Sequence, residues 1–204
     1  MYSSRAHYIR SWCLDQRVRI RLDPAKQGWC DAEGESYVFP ILVSYVWGAI
    51  IRMRPKNLLW CDGIDALEHG VASCQWRLCS AITVARSTPS ATLNEAALLR
   101  YLAEAPWYPF VLVPGRYGVT SWVTESPTEA TATIVTPEGV RAACTFEFDE
   151  HAHIVGVRAV RGMLQPDGTL KMVRTARHLR RKRALHLSHH AASVECTVLE
   201  LRKV

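Results

Sequence analysis

The segment that most constrains the fold is Thr92 to Pro109, TLNEAALLRYLAEAPWYP, whose pattern is that of a single helix. Thr92 and Glu95 have the three-residue spacing of a capping box, in which each side chain satisfies a backbone N–H at the helix start. Alanine, leucine, glutamate and arginine dominate the residues that follow, and all are strong helix formers. Pro106 disfavours helical geometry at Ala105 and cannot continue the ladder, so the helix is predicted to end there.

One side of this predicted helix is apolar. Its stripe has the 3-1-3 spacing of residues that share a helix face, and consists of Leu98, Tyr101, Leu102 and Ala105. Such a stripe must be covered by another element, so we expect the helix to pack on a sheet.

Upstream of the helix, the sequence favours strands. Residues 14–22 alternate between apolar and arginine side chains, which is typical of a half-buried strand. Residues 37–51 are uncharged and rich in Val, Ile, Tyr, Phe and Trp, which favours buried strands. This run is shorter than the roughly 20 residues of a membrane-spanning helix, and Pro40 and Gly48 interrupt it. Asp62-Gly63 is typical of a tight turn, and residues 71–86 are predicted to form one strand.

Downstream of the helix, the pattern is that of an antiparallel meander. Residues 129–136 and 140–148 flank Pro137-Glu138-Gly139 as the two strands of a hairpin. Further strands are predicted at 119–124, 154–160 and 169–173. Since strands follow one another without alternating helices, the predicted fold class is α+β, a mainly antiparallel sheet packed on one principal helix.

The formal charge of the protein is concentrated at its C-terminus. Residues 174–204 carry eight Lys and Arg against two Glu, a net charge of +6, whereas residues 1–173 carry equal numbers of basic and acidic residues. The run Arg180-Arg181-Lys182-Arg183 would contact the phosphates of nucleic acid or anionic lipid. Because no aromatic residue in this segment could stack on bases, nucleic acid is the less favoured partner.

The cysteines and the N-terminus indicate the compartment. The seven cysteines are odd in number and include no C-x-x-C motif, which favours unpaired thiols in a reducing environment. The first residues lack the apolar core and cleavage site of a signal peptide. We therefore expect a cytoplasmic protein without a transmembrane segment.

No catalytic residue, metal ligand or cofactor is predicted. The motifs of serine hydrolases, phosphate-binding loops, dinucleotide sites and zinc proteases do not occur. His151 and His153 could present two metal ligands, but a third at fixed spacing is missing, so exposed turn histidines are favoured. Glu104 has no partner as a general acid in the sequence, and an i,i+4 ion pair with Arg100 is the simpler interpretation.

Four segments occur in an order that resembles a known family: RYLAEAPWYPFVLVP from Arg100, GVTSWV from Gly118, EATATIV from Glu129 and FEFDEHAHIVGVRA from Phe146. They resemble a bacterial domain family of unknown function with the helix motif R-Y-L-A-E-x-x-W-x-P, over about residues 17–173. That family is similar to lipoprotein-carrier half-barrels. The resemblance therefore implies a curved, half-barrel-like sheet with an apolar concave face, by fold analogy.

The resemblance and the aromatic content together predict a non-enzymatic binding module for an apolar or lipid-like ligand. The candidate ligand-binding residues are Tyr101, Trp107, Tyr108, Trp122 and Phe146. Ordinary core packing is the simpler interpretation of these side chains. Two other classes stay open: nucleic-acid or anionic-surface binding through the basic tail, and an enzyme whose site is assembled from distant residues.

The C-terminal segment departs from the family pattern. Family members are rich in Trp, Tyr and Gly near the end, whereas the last aromatic residue here is Phe148. We therefore divide the chain into a single α+β domain, residues 1–173, and a basic tail, residues 174–204. The tail is interpreted as the product of a reading frame that shifts near Met172 to Thr175, as the product of a decayed gene, or as a disordered segment.

Overall fold

The structure is a computed structural model that describes the backbone of residues 11–21, 30–53, 59–115, 118–164, 170–180, 184–188 and 193–203. Side chains are described for residues 11–17, 30–53, 59–115 and 118–160. Within these described ranges, thirteen strands form one antiparallel sheet, and one α-helix packs against it. The predicted α+β class is therefore confirmed.

The sheet consists of two meanders. The first contains β1 Trp12–Arg21, β2 Cys30–Phe39, β3 Ser44–Met53, β4 Leu59–Glu68, β5 Val71–Leu78 and β6 Ile82–Arg86. The second contains β7 Ser121–Ser126, β8 Glu129–Val135, β9 Arg141–Phe148, β10 Ile154–Leu164, β11 Leu170–Arg180, β12 Ala184–Ser188 and β13 Ser193–Lys203. Within each meander, consecutive strands are hydrogen-bonded neighbours, and the two meanders join where β1 pairs with β13.

The helix α1 spans Ala91–Ala103, as the amphipathic pattern predicts. Its start differs from the prediction: the N-cap is Ser90, whose Oγ accepts a hydrogen bond from the backbone N–H of Leu93 at 3.2 Å. The predicted cap at Thr92 is wrong because the helix already begins at Ala91, which places Thr92 inside the first turn. At the other end, the chain tightens into a 3-10 helix at Ala105–Trp107, which contains Pro106.

The position of α1 shows that the sheet is strongly curved. The helix contacts β4 and β5 in the first meander and β9 and β10 in the second. In the strand order, β5 and β9 are nine steps apart. In a flat sheet nine steps would span roughly 43 Å, several times the roughly 10–12 Å diameter of a helix. We call the two meanders the first and second arms of the sheet. One helix can touch both arms only if the sheet bends around it, with α1 on the concave face.

Two hairpin turns confirm this bend. The β4–β5 turn contains Gly70, and the β8–β9 turn contains Glu138. A Cβ added to Gly70 would lie 3.0 Å from the Cβ of Glu138, so the tips of hairpins from opposite arms are in contact. In the strand order β6 and β7 stand at the two ends of the sheet, which is open rather than closed into a barrel.

One turn prediction and one strand prediction are wrong. Asp62-Gly63 lies inside β4, and the turn falls at His69-Gly70, where both residues have positive φ, 48° and 72°. Gly63 is needed for packing, since a Cβ there would collide with the ring of Trp76. Residues 71–86 form two strands rather than one, because the chain turns between Leu78 and Ile82.

The core lies between α1 and the concave face. The side chains of the predicted stripe, Leu98, Tyr101, Leu102 and Ala105, are fully buried. They belong to one buried cluster with Leu14, Val38 and Tyr45 of the first arm, and with Ile134, Phe146 and Val157 of the second. One helix face therefore holds both arms of the sheet together, as the stripe predicts.

Part of the basic tail contributes backbone to the sheet. The boundary that we propose at residue 173 falls within β11, while β12 and β13 lie beyond it. The reading frame and the order of residues 174–204 stay predictions. None of the helices in the described part of the chain has the length and apolarity to cross a membrane.

The buried stripe gives a first prediction. Replacing Leu102, which is 0% exposed, with alanine should lower the free energy of unfolding by about 2–5 kcal/mol, because a cavity is left between helix and sheet. Urea unfolding followed by tryptophan fluorescence measures this change. Val113→Ala is the matched control: Val113 is 64% exposed, and its loss should cost under about 0.5 kcal/mol. Equal effects of the two substitutions would contradict the packing.

Candidate functional site

A buried arginine fixes α1 to the first arm of the sheet. The guanidinium of Arg100 forms ion pairs with Asp65 on β4 and, at 3.0 Å, with Glu104 one turn further along the helix. It also stacks on the ring of Trp47, with 4.6 Å between the guanidinium carbon and the ring centroid. The side chain is only 13% exposed. The predicted i,i+4 pair of Arg100 and Glu104 is thus present, as part of a larger cluster.

The cluster sets the protonation of its members. Burial alone would lower the pKa of the Arg100 guanidinium, but the carboxylates of Glu104 and Asp65 outweigh burial and raise that pKa well above its usual range. Burial also raises the pKa of the Tyr108 hydroxyl, and the Glu104 carboxylate acts in the same direction. Tyr108 donates a 2.7 Å hydrogen bond to the carbonyl of Tyr101. At neutral pH, therefore, Arg100 is charged and Tyr108 is a neutral donor.

Beyond this cluster, the concave face of the first arm is apolar. Directly paired residues of antiparallel strands point to the same side of a sheet. The register therefore places one row of apolar side chains across β2 to β6: Ala32, Ile51, Cys61, Leu78 and Ile82. Two residues further out along β2, β3 and β4, the same face carries Cys30, Met53 and Leu59. We call these eight residues the apolar floor.

The apolar floor becomes more exposed towards the start of β4 and the edge strand β6. Ala32 and Ile51 are 1% and 5% exposed, whereas Leu59 is 52% and Ile82 is 62% exposed. Ala32 and Ile51 form a small cluster of their own, separate from the main core. A contiguous apolar surface of this kind often marks an interaction or ligand-binding site.

Two tryptophans form the inner wall of the apolar floor. Trp76 and Trp107 both pack, partly buried, against the cluster of Ala32 and Ile51. Trp76 rests on Gly63, where only a hydrogen atom leaves room for the ring. Trp107 reaches the floor from the 3-10 helix that follows α1. Its position therefore depends on the Arg100 cluster that fixes the end of α1 to β4.

The five predicted ligand-binding residues fall into three places. Trp107 lies at the apolar floor. Tyr101 and Tyr108 contact each other in the main core, with ring centroids 5.6 Å apart, and are 0% and 2% exposed. Both are covered by protein atoms, so their role in binding stays a prediction.

The remaining two predicted residues belong to the second arm. Trp122 and Phe146 are tilted against each other with ring centroids 5.4 Å apart. Phe146 is fully buried, and Trp122 donates a 3.0 Å hydrogen bond from Nε1 to the carbonyl of Leu112. These contacts attach the segment after α1 to the second arm, and a ligand role for the pair stays a prediction as well.

Most residues of the apolar floor were not predicted from the sequence. Cys30, Cys61, Leu78 and Ile82 come from four different strands, and only the register brings them into one surface. Apolar alternation in residues 71–86 was a usable signal for Leu78. The missed turn after Leu78 hid the fact that Ile82 returns beside it.

A separate open cavity of about 520 Å³ lies between the first turn of α1 and the β8–β9 hairpin. It is lined by Asn94, Glu95, Glu138 and Arg141 among others, and by none of the predicted ligand-binding residues. No lining side chain has a buried polar atom without a hydrogen-bond partner. Nothing in its lining therefore points to a particular ligand.

The two histidines of the β9–β10 turn are held by a neighbouring carboxylate. Asp149 Oδ1 accepts hydrogen bonds from the backbone N–H groups of His151 and His153, at 3.0 and 2.8 Å. Both rings are largely exposed. Among the described side chains, no group of three or more His, Cys, Asp or Glu is arranged to hold a metal ion.

The predicted basic cluster falls mostly outside the described structure. Arg180 contributes backbone to the end of β11, and Arg181, Lys182 and Arg183 lie outside the described residues. Upstream, the backbone register of β1 and β2 places Arg17 opposite Glu33 and Arg19 opposite Asp31.

Fold and site together define an open, curved antiparallel sheet with an apolar concave surface beside a buried ion-pair cluster. Comparison with family models assigns the chain: it belongs to a family of unknown function (DUF6544), whose model matches residues 1–181. The predicted membership in a domain family of unknown function is thus confirmed. No curated protein matches the chain.

The thiol of Cys61 on the apolar floor gives a second prediction. Burial raises its pKa above the ordinary value of 9.0, and the neighbouring Asp62 and Cys79 act in the same direction. Since only the thiolate reacts, alkylation of Cys61 by iodoacetamide at pH 8 should be slower than that of a cysteine in a flexible peptide. The difference should shrink as the pH rises above the raised pKa. Peptide mass spectrometry measures both rates, and a faster reaction of Cys61 at pH 8 would contradict the assigned environment.

Proposed function

We propose that this protein is a non-enzymatic binding module that holds an apolar or lipid-like ligand on the apolar floor. The observation that carries the proposal is the row from Ala32 to Ile82, an apolar surface on the concave side of the sheet that α1 leaves partly open. Ligand sites are typically concave and mostly apolar, with few polar groups.

The walls of the apolar floor support a small ligand rather than a flat protein surface. Trp76 and Trp107 close the inner end, whereas Leu59 and Ile82 leave the outer end open. An elongated apolar molecule could lie along the floor from its closed inner end to its open outer end. Its inner part would contact the indoles, and its outer part would lie at the sheet edge. The neutral thiol of Cys61 adds a further apolar contact.

The half-barrel shape that the family resemblance implies is part of this proposal. The sheet is curved and open, α1 lies in the bend, and the apolar floor lies on the same face; these features are consistent with that shape. The other candidate residues, Tyr101, Tyr108, Trp122 and Phe146, would then support the helix and the following segment, behind Trp107. A cytoplasmic location for the protein remains part of the same proposal.

Binding can be tested with a charge placed on the exposed end of the apolar floor. Ile82→Asp should raise the Kd for a pyrene-labelled dodecane at least about tenfold, because burying one isoleucine side chain is worth about 1.5–3 kcal/mol and about 1.4 kcal/mol is tenfold in affinity. Fluorescence titration of protein purified without detergent measures the Kd.

Val123→Asp is the matched control, since Val123 is 55% exposed and lies on the opposite edge strand, β7. Its Kd should stay within about twofold of the parent protein, a change below half a kcal/mol. Absence of saturable binding to the parent protein, together with a clean ligand-free mass by native mass spectrometry, would overturn the proposal. Equal loss in both variants would move the site away from the apolar floor.

A further inference from the structure

Two buried hydrogen-bond donors border the inner end of the apolar floor. Trp107 Nε1 and Gln16 Nε2 are enclosed by protein atoms and have no hydrogen-bond partner in the part of the chain that the structure describes. Gln16 is 3% exposed, and its Oε1 accepts a 2.8 Å hydrogen bond from Trp47 Nε1. This bond fixes the side-chain amide, while its NH₂ group, Nε2, stays unpaired. Buried polar groups in proteins are almost always paired, so each unpaired one requires an explanation.

The register places Gln16 next to the apolar floor. Gln16 belongs to the row Gln16–Gly34–Ala49–Gly63–Trp76, which lies immediately inside the row of Ala32, Ile51 and Cys61. Trp107 packs on the same cluster as Trp76. The two donors therefore border the same end of the apolar floor, opposite the exposed end at Leu59 and Ile82.

Both unpaired atoms can only donate. An indole N–H and an amide NH₂ accept no hydrogen bond, so a ligand group that satisfies them must supply acceptor oxygens. A pure hydrocarbon would leave both donors unsatisfied. A ligand with a carbonyl at one end could satisfy the inner donors while its chain covers the apolar floor.

The charges nearby favour a neutral acceptor. The adjoining cluster contains one guanidinium, Arg100, against two carboxylates, Asp65 and Glu104. Trp47 connects the two sites, since it stacks on Arg100 and donates to Gln16. A ligand carboxylate would add a third negative charge with no free cation in this cluster to balance it, and burying such a charge is costly.

We propose, as a refinement that rests on the function above, that the ligand is a neutral long-chain carbonyl compound of the ester class. Its carbonyl oxygen accepts from Trp107 Nε1 and Gln16 Nε2, and its acyl chain lies on the apolar floor towards Ile82. Because Trp107 Nε1 and Gln16 Nε2 are both enclosed in the structure, the indole must lift from the floor to admit the ligand carbonyl to them. The short 3-10 helix that carries Trp107 is the element that moves.

The test compares three molecules of equal chain length on the full chain: methyl laurate, laurate and dodecane. Each displaces pyrene-labelled dodecane, and the inhibition constants are compared. We expect methyl laurate to bind about tenfold more tightly than either of the others, because only the ester gains hydrogen bonds without burying a charge. Equal binding of ester and alkane, or tightest binding of laurate, would overturn this refinement and leave the proposed function standing.

Trp107→Phe isolates the donor. In this variant the roughly tenfold preference for methyl laurate over dodecane should fall to within about twofold, and this ratio is the readout because loss of the indole surface also changes the affinity for dodecane itself. Loss of affinity for both molecules to the same degree would mean that Trp107 only shapes the floor, and would overturn the refinement. If no molecule of the series binds the parent protein, the proposed function fails together with it.

A measurement without substitution covers the case in which Trp107→Phe does not fold. In ¹H–¹⁵N spectra, one indole N–H resonance of the parent protein should move downfield with methyl laurate and not with dodecane. Identical spectra with the two ligands at saturation would contradict a hydrogen bond from Trp107.

Discussion

The ion-pair cluster of Arg100 is the interaction on which the rest of the structure depends. A guanidinium that is almost completely buried is tolerable only because Asp65 and Glu104 compensate its charge and Trp47 stacks on its face. Asp65 belongs to the sheet and Glu104 to the helix, so the cluster fixes both the position and the rotation of α1. The same constraint determines where the chain leaves the helix and, with it, where Trp107 meets the apolar floor.

Curvature and site are consequences of one packing arrangement. Since α1 covers only the central part of the concave face, the arms close over Leu98, Tyr101 and Leu102, while Leu59 and Ile82 in the first arm stay exposed. These two residues form the open end of the apolar floor, whose inner residues Ala32 and Ile51 are buried. Small residues make room for the two tryptophans: Gly63 lies under the ring of Trp76, and Ala32 belongs to the cluster against which both Trp76 and Trp107 pack.

How much the sequence predicts depends on the range of the interactions involved. The helix and the β8–β9 hairpin follow from local periodicity and are found as predicted. The helix start at Ser90 was missed because Thr92, a second possible capping residue, lies two positions away. The turn at Cys79-Ser80 was missed because it contains no glycine, although both residues have positive φ. The apolar floor depends on the register of five strands, and a slip of one residue would turn each side chain to the opposite face.

The central claim, that the sheet bends around α1 until its arms meet, is tested most directly by the distance between the hairpin tips at His69 and Glu138. Spin labels attached to unnatural amino acids at these positions avoid labelling of the native cysteines. Pulsed electron–electron double resonance then measures the distance between the two labels. Contact between Gly70 and Glu138 predicts a short distance with a narrow distribution. A distance near the roughly 43 Å that nine strand spacings span in a flat sheet would contradict the account.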